Sequence, residues 1–359
     1  MERSTTPPAP PTERELIQLV RATLGSTLPA GWSTEVDRRS RRADAVLRLS
    51  GPDGRSATLV VEAKTIVDAR DVPAVRNQMQ LGDDPDASEA MVVARYLSPR
   101  ARDALAEAGM SYLDATGNVR VAVKEPAVFI VTQGANSDPW RSPERPTSSL
   151  RGKPAARVVR TLVDLRPPWK VRELAQAAGT SLGSTARTVD FLAREALVER
   201  DASGAIVGVD WPALLERWSA DYDLVKRRRV VRLLAPRGLD SIEDDLRGWK
   251  GRYAISGSMA AARWAPYAEA RLALVYSPDV DELLSRLGLR EPPSRPNVVL
   301  IEPDDDYVFE RDVECDGLRL AAPSQVVVDL LAGPGRNPEE GKALIDWMTA
   351  NEREWRGRR

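Results

Sequence analysis

A multidomain chain of mixed α/β and α+β class is expected, with an α/β domain at each end and a compact helical unit ending in a small hairpin between them. Three observations predict it. From Glu13 to Thr132 helix-like and strand-like runs follow one another at short spacing. From Ala155 to Val209 three helical patterns precede two short strand runs, and from Leu234 onward apolar strands such as Val298 to Ile301 stand among further helical patterns. A chain of 359 residues with 42% hydrophobic content is long enough for two or three cores, and 29% charged residues suit a particle in water.

The first elements follow from periodicity. Leu16, Ile17, Val20 and Leu24 fall on one side of a helix over Glu13 to Leu24. Strands are expected at Ala43 to Leu49 and Ala57 to Ala63, turned at Gly51-Pro52-Asp53-Gly54. A polar helix over Asp71 to Leu81 precedes an apolar strand at Ala90 to Ala94. Pro99 suits the first turn of a helix running to Ala108 and stopped by Gly109. Strands at Ser111 to Asp114, Val119 to Val123 and Ala127 to Thr132 complete a domain over residues 12–133, and the Pro, Ser and Arg content of residues 134–152 reads as a linker.

The central domain, residues 153–210, opens with a helix over Ala155 to Leu165 that Pro167 and Pro168 stop. A second helix over Val171 to Ala178 closes at Gly179, and Ser181 or Ser184 can cap a third that reaches Arg194. Leu197 to Arg200 and Ala205 to Val209 then form a hairpin around Ala202-Ser203-Gly204. Residues 211–235 make a connecting helix with Leu214, Leu215, Trp218 and Tyr222, ending in the basic cluster Lys226, Arg227, Arg228 and Arg229. The last domain, residues 236–359, carries a Gly257-Ser258 pair after a strand, as nucleotidyl-transferring folds do. The following strand reads Ala270-Arg271-Leu272-Ala273-Leu274, without the alternating carboxylates such chemistry needs. Asp304, Asp305 and Asp306 read as a solvated turn.

Composition closes off several chemistries. With no histidine and one cysteine, Cys315, the chain cannot build a common Cys/His zinc site, a Ser-His-Asp triad or an internal disulfide. Any metal must sit on carboxylates. No run of eighteen apolar residues occurs and Met1 to Pro11 is proline-rich and polar, so a cytoplasmic protein without membrane contact is expected. The net charge of −1 conceals an uneven distribution: residues 140–200 hold twelve Lys and Arg against six Asp and Glu, and residues 234–359 hold seventeen against twenty-three. The excess of six positive charges marks the middle of the chain as the candidate contact for a polyanion.

The third central helix places Ser184, Thr185, Arg187 and Thr188 early, where short side chains allow close approach to a duplex and an arginine can bond guanine or phosphate. The segment KVRELAQAAGTSLGSTARTVDFLAREALVERDASG resembles the winged helix-turn-helix of MarR- or IclR-type bacterial regulators. That resemblance implies double-stranded DNA as partner, Thr185 and Arg187 on the groove side and Arg200 near the phosphate backbone at the wing. The Lys226 to Arg229 cluster offers a second phosphate contact.

In Leu59-Val60-Val61-Glu62-Ala63-Lys64, strand alternation sets Glu62 and Lys64 on one face, and Asp44 at the start of the preceding strand can come beside Glu62. Two carboxylates can hold magnesium with its waters while a lysine positions the attacking water. DAVLRL, a turn, VVEAK and a helix bearing NQMQLG resemble the PD-(D/E)XK nucleases, with a restriction-endonuclease-like fold. The resemblance implies Asp44 and Glu62 as ligands of Mg or Mn, Lys64 as catalytic lysine and Gln78 as auxiliary glutamine, with Glu15 or Glu35 able to add a carboxylate. Ala43 stands where proline is common, and no tyrosine follows Gln78 as in RecB-like members.

The C-terminal stretch, with PNVVLIEPDDDYVF and DGLRLAAPSQVVVDLLAGPGRNPEEGKALIDWM, is similar to AbiEi-type antitoxins and related regulators. A DNA-binding transcriptional regulator needing no cofactor is therefore expected, with a Mg-dependent DNA endonuclease of repair or defence as the alternative. Val326, Val327, Val328, Leu330 and Leu331 exceed what one helix face needs, which points to a homodimer or a protein partner at the C-terminal domain.

Overall fold

The computed structural model describes residues 9–37, 43–79, 89–140, 149–223, 229–291 and 295–358. The chain is mixed α/β, and among the described residues no helix is long and apolar enough to cross a membrane. It divides into two compact units, residues 1–146 with 193–196, and residues 147–192 with 197–359.

The first unit contains α1 (Glu13–Thr27), β1 (Ser33–Asp37), β2 (Ala45–Ser50), β3 (Ser56–Lys64), α2 (Val72–Met79), β4 (Glu89–Ala94), α3 (Pro99–Glu107), β5 (Ser111–Asp114), β6 (Val119–Val123) and β7 (Val128–Thr132). Its seven strands lie in sequence order, parallel only from β3 to β4 and β4 to β5, where α2 and α3 supply the crossovers. Thr12 and Glu15 close a capping box on α1, whose Leu16, Ile17, Val20 and Leu24 pack with Leu59, Val61 and Ala63 on one face of the sheet. Val75 and Met79 of α2 and Leu105 of α3 cover the other face with Val92 and Ala94.

Residues 134–140 are not a loose linker. Asn118 donates to the Ala135 carbonyl at 3.0 Å, Arg102 donates to Asn136 at 2.7 Å, and the buried Arg95 pairs with Asp138 at 2.7 Å. These bonds fasten the segment to the end of the sheet, and only 141–148 of the expected linker lies outside the described residues.

The second unit contains α4 (Lys153–Asp164), α5 (Val171–Ala177), α6 (Leu182–Arg194), β8 (Val198–Arg200), β9 (Ile206–Val209), α7 (Trp211–Ser219), β10 (Arg229–Leu233), α8 (Asp240–Leu246), β11 (Ala254–Ser256), α9 (Gly257–Ala261), β12 (Ala273–Tyr276), α10 (Val280–Leu287), β13 (Val298–Glu302), β14 (Val313–Cys315), β15 (Leu318–Leu320), α11 (Pro323–Leu331), α12 (Asn337–Ala350) and α13 (Glu352–Trp355). Six strands form a mixed sheet in the order β10-β13-β12-β11-β15-β14, and β8 and β9 form a separate hairpin.

Residues 153–210 and 236–359, distinct domains in the sequence reading, share one compact unit. Helix α11 joins them, packed against α4, α7, α9, α12 and β11. Every residue from Pro323 to Leu330 is buried, so Val326, Val327, Val328 and Leu330 form core and offer no outward patch to a second subunit. A polar chain runs beside this core. Arg160, fully buried, donates to Asp164 at 3.1 Å, to the carbonyls of Tyr307 at 3.0 Å and Glu310 at 2.8 Å, and to Gln325 at 3.0 Å. Gln325 donates in turn to Asp329 at 2.9 Å, which accepts from Tyr222, Tyr276 and Ser256. Buried polar groups persist only when partnered, so this chain ties α4 to the larger sheet.

Candidate functional site

Two groups of residues carry chemistry, one in each unit. In the first, the register Ala45↔Val61 sets Asp44 across from Glu62 one step before β2 begins. Asp44 Oδ2 accepts from the Ala63 backbone N–H at 2.8 Å. On the face covered by α2, Lys64 Nζ donates to Glu62 Oε1 at 2.8 Å and Gln78 Nε2 donates to the same oxygen at 3.0 Å. Asp44, Glu62, Lys64 and Gln78 thus gather at one end of the β2–β3 ladder. Glu62 is 7% exposed and held by both neighbours, whereas the Lys64 side chain remains 31% exposed.

Glu15 and Glu35 do not join them. Glu15 accepts from the backbone and hydroxyl of Thr12 at the start of α1, which packs on the opposite face, and Glu35 lies on β1, across β2 from the ladder. Among the described residues no group of three or more His, Cys, Asp or Glu is placed to hold a metal ion. Two hard carboxylate donors nevertheless fit a cation that keeps most of its waters, as magnesium does.

In the second unit, three helices and a hairpin make the other group. Ser181 caps α6, accepting from the Ser184 N–H at 3.2 Å. Gly179, at φ +60°, supplies the left-handed turn after α5 that a side chain would resist. The residue Trp169, before α5, exchanges two backbone bonds of 2.9 Å with Ile206, adding an antiparallel bridge to the hairpin.

Helix α6 presents a narrower face than the sequence implied. Thr185 and Thr188 are buried, not exposed: they fall on the 185, 188, 189, 192 stripe with Val189 and Leu192. Their methyls face the core and their hydroxyls donate to the carbonyls of Ser181 and Ser184, both at 3.0 Å. Ser184 stays partly exposed and accepts from Arg187 at 3.2 Å, while Leu182, Gly183, Arg187 and Asp190 face outward. Leu182 at 48% and Val207 on the hairpin at 42% are exposed apolar side chains that polar-residue counting passes over; Leu182 could have been found from its place off the buried stripe.

Against known families, curated proteins and solved structures alike, the chain has no match.

The remaining cationic candidates divide. Arg200 is engaged within the molecule, donating to Asp190 at 2.9 Å and to the Gly204 carbonyl at 3.1 Å. Arg229 is the first residue of β10 rather than the end of a helix, and its guanidinium forms a bidentate pair with Asp281 at 2.8 and 2.9 Å. It is therefore not an open phosphate contact. Lys226, Arg227 and Arg228 lie outside the described residues. The acidic turn is likewise occupied: Asp305 pairs with Arg157 at 2.6 Å and Asp306 with Arg252 at 2.9 Å.

Proposed function

We propose that this protein is a double-stranded DNA-binding regulator that reads the duplex with a winged helix-turn-helix formed by α4, α5, α6 and the β8–β9 wing. The observation that carries the reading is the outward stripe of α6, where Arg187 stands beside Ser184 and the side-chain-free Gly183 while the opposite stripe is buried. A helix so divided can enter the major groove with its early residues against base edges. The local excess of six positive charges over residues 140–200 supplies the attraction to phosphate. The test is binding of the full chain to a duplex pool, selection of preferred sites, and titration at several salt concentrations. Arg187→Ala should cost about 1–3 kcal/mol on the selected site and much less on random duplex, as a base-reading arginine does. Absence of duplex affinity for the wild type at low salt overturns the reading.

A second reading, a magnesium-dependent DNA endonuclease with a PD-(D/E)XK-like first unit, is favoured by the gathering of Asp44, Glu62, Lys64 and Gln78. Asp44 and Glu62 would hold the cation, which supplies Lewis acidity and an activated water at the phosphodiester. In the protein itself, Gln78 and Lys64 orient Glu62, and Lys64 keeps part of its surface open to substrate. Incubation with linear, supercoiled and single-stranded DNA in magnesium or manganese decides: cutting by wild type that disappears in Asp44→Ala, Glu62→Ala and Lys64→Ala supports the endonuclease, and cutting equal in all four refutes it.

A further inference from the structure

The wing is a two-stranded hairpin with little core of its own. Its turn is organised by Asp201, which accepts from the N–H groups of Ser203 at 2.8 Å and Ala205 at 3.0 Å and from the Ser203 hydroxyl at 2.6 Å. Asp201 holds the turn together internally, and all its bonds among the described residues lie within the turn. The link outward is Arg200. Its Nη1 donates to Asp190 Oδ1 on α6 at 2.9 Å, and its Nε donates across the turn to the Gly204 carbonyl at 3.1 Å. Gly204 sits at φ +81°, a left-handed conformation that a side chain would resist. Asp190 lies three residues after Arg187 on the same outward stripe of α6. One guanidinium therefore spans the reading helix, the first wing strand and the wing tip.

We infer that Arg200 is a positioning residue that latches the wing to α6, and that it is not a phosphate ligand. The inference rests on the winged-helix reading for its consequence in DNA binding. Geometry alone carries the latch. Two of the five guanidinium N–H donors of Arg200 are directed at Gly204 and Asp190, so a phosphate would have to compete with the Asp190 carboxylate for this side chain. Holding the wing at a fixed angle to α6 removes conformational freedom that duplex binding would otherwise have to remove.

Two measurements on the full chain test this. In the first, amide hydrogen exchange over residues 201–206 is followed without DNA. Arg200→Ala and Asp190→Ala should each accelerate exchange by about two- to fivefold, the range an exposed ion pair supports. The double variant should exchange no faster than Arg200→Ala, because that substitution already removes both the Asp190 pair and the bond to Gly204. Exchange unchanged in Arg200→Ala, or additive acceleration in the double variant, overturns the latch. In the second, Arg200→Gln is combined with Asp190→Asn, which leaves the net charge unaltered, and affinity for the selected duplex is measured against salt. The latch predicts an unaltered slope of log affinity against log salt. A slope smaller by about 0.9 identifies Arg200 as a phosphate ligand and overturns the inference. If the wild type binds no duplex, the DNA-binding reading falls, while the exchange measurement still decides whether the latch exists.

Discussion

At the scale of single residues, Asp164 shows how much an ionised group depends on its surroundings. It is buried at the end of α4, where it accepts from Arg160, from Arg311 at 2.6 Å and from Ser324. Burial raises the proton affinity of the carboxyl, but Arg160, Arg311 and the Ser324 hydroxyl outweigh it and hold the group below the usual aspartate value. A carboxyl whose folded pKa is lowered stabilises the fold above its unfolded value of about 3.9 and loses that contribution as pH falls through the folded value. Wild type and Asp164→Asn should therefore differ most in melting temperature at neutral pH, the gap narrowing below about pH 4. A gap constant with pH would show that Asp164 acts through shape and not charge. Residue-level roles were the least legible part of the sequence. Thr185 and Thr188 invite an exposed reading because they are polar, and only the folded helix shows them on the buried stripe with Val189 and Leu192. Asp190 drew no attention because its partner Arg200 lies beyond the turn at Ala196 that ends α6 and folds β8 back along the helix.

Elements were far more legible than side chains, since each rests on local periodicity and punctuation. Pro99 and Gly109 bracket α3, and Gly51 to Gly54 turn β2 into β3. The β2–β3 alternation was enough to bring Glu62 and Lys64 to one face; the bond from Gln78 needed the angle at which α2 crosses the sheet, which no local pattern encodes. What periodicity could not supply is how an element's ends are satisfied. Helix α4 has its last carbonyls met from far along the chain: Arg356 donates to Val163 at 2.8 Å and Leu162 at 3.0 Å, and the Gly357 N–H donates to Asp164 at 2.9 Å. A helix end buried without such donors is costly. Arg356→Ala should lower stability by about 1–3 kcal/mol for each carbonyl left without a donor, read from the denaturant midpoint. Arg356→Lys, able to reach one of them, should recover part of that loss. A variant as stable as wild type would show that water replaces the guanidinium.

For the whole molecule, the informative result is where the boundary falls. Charge and helical pattern set residues 153–210 apart, because a local excess of positive charge is visible in sequence. The burial of Arg160 among Tyr307, Glu310 and Gln325 is not. A fragment of residues 149–359 should melt in one cooperative transition, whereas residues 150–235 alone should show none, having lost α11 and the caps on α4. Independent, cooperative melting of the shorter fragment would restore the sequence boundary.

The capping of α4 by Arg356 also bears on the order of events during synthesis. The Leu162 carbonyl and its donor are 194 residues apart. The first unit has all its strands made by residue 132 and can close while translation continues. Helix α4 emerges soon afterward but waits for its last donors until residue 356 has been made, a contact of very high sequence separation. A chain that stops short of residue 356 leaves the first unit folded and α4 uncapped, so the second unit reaches its final form last.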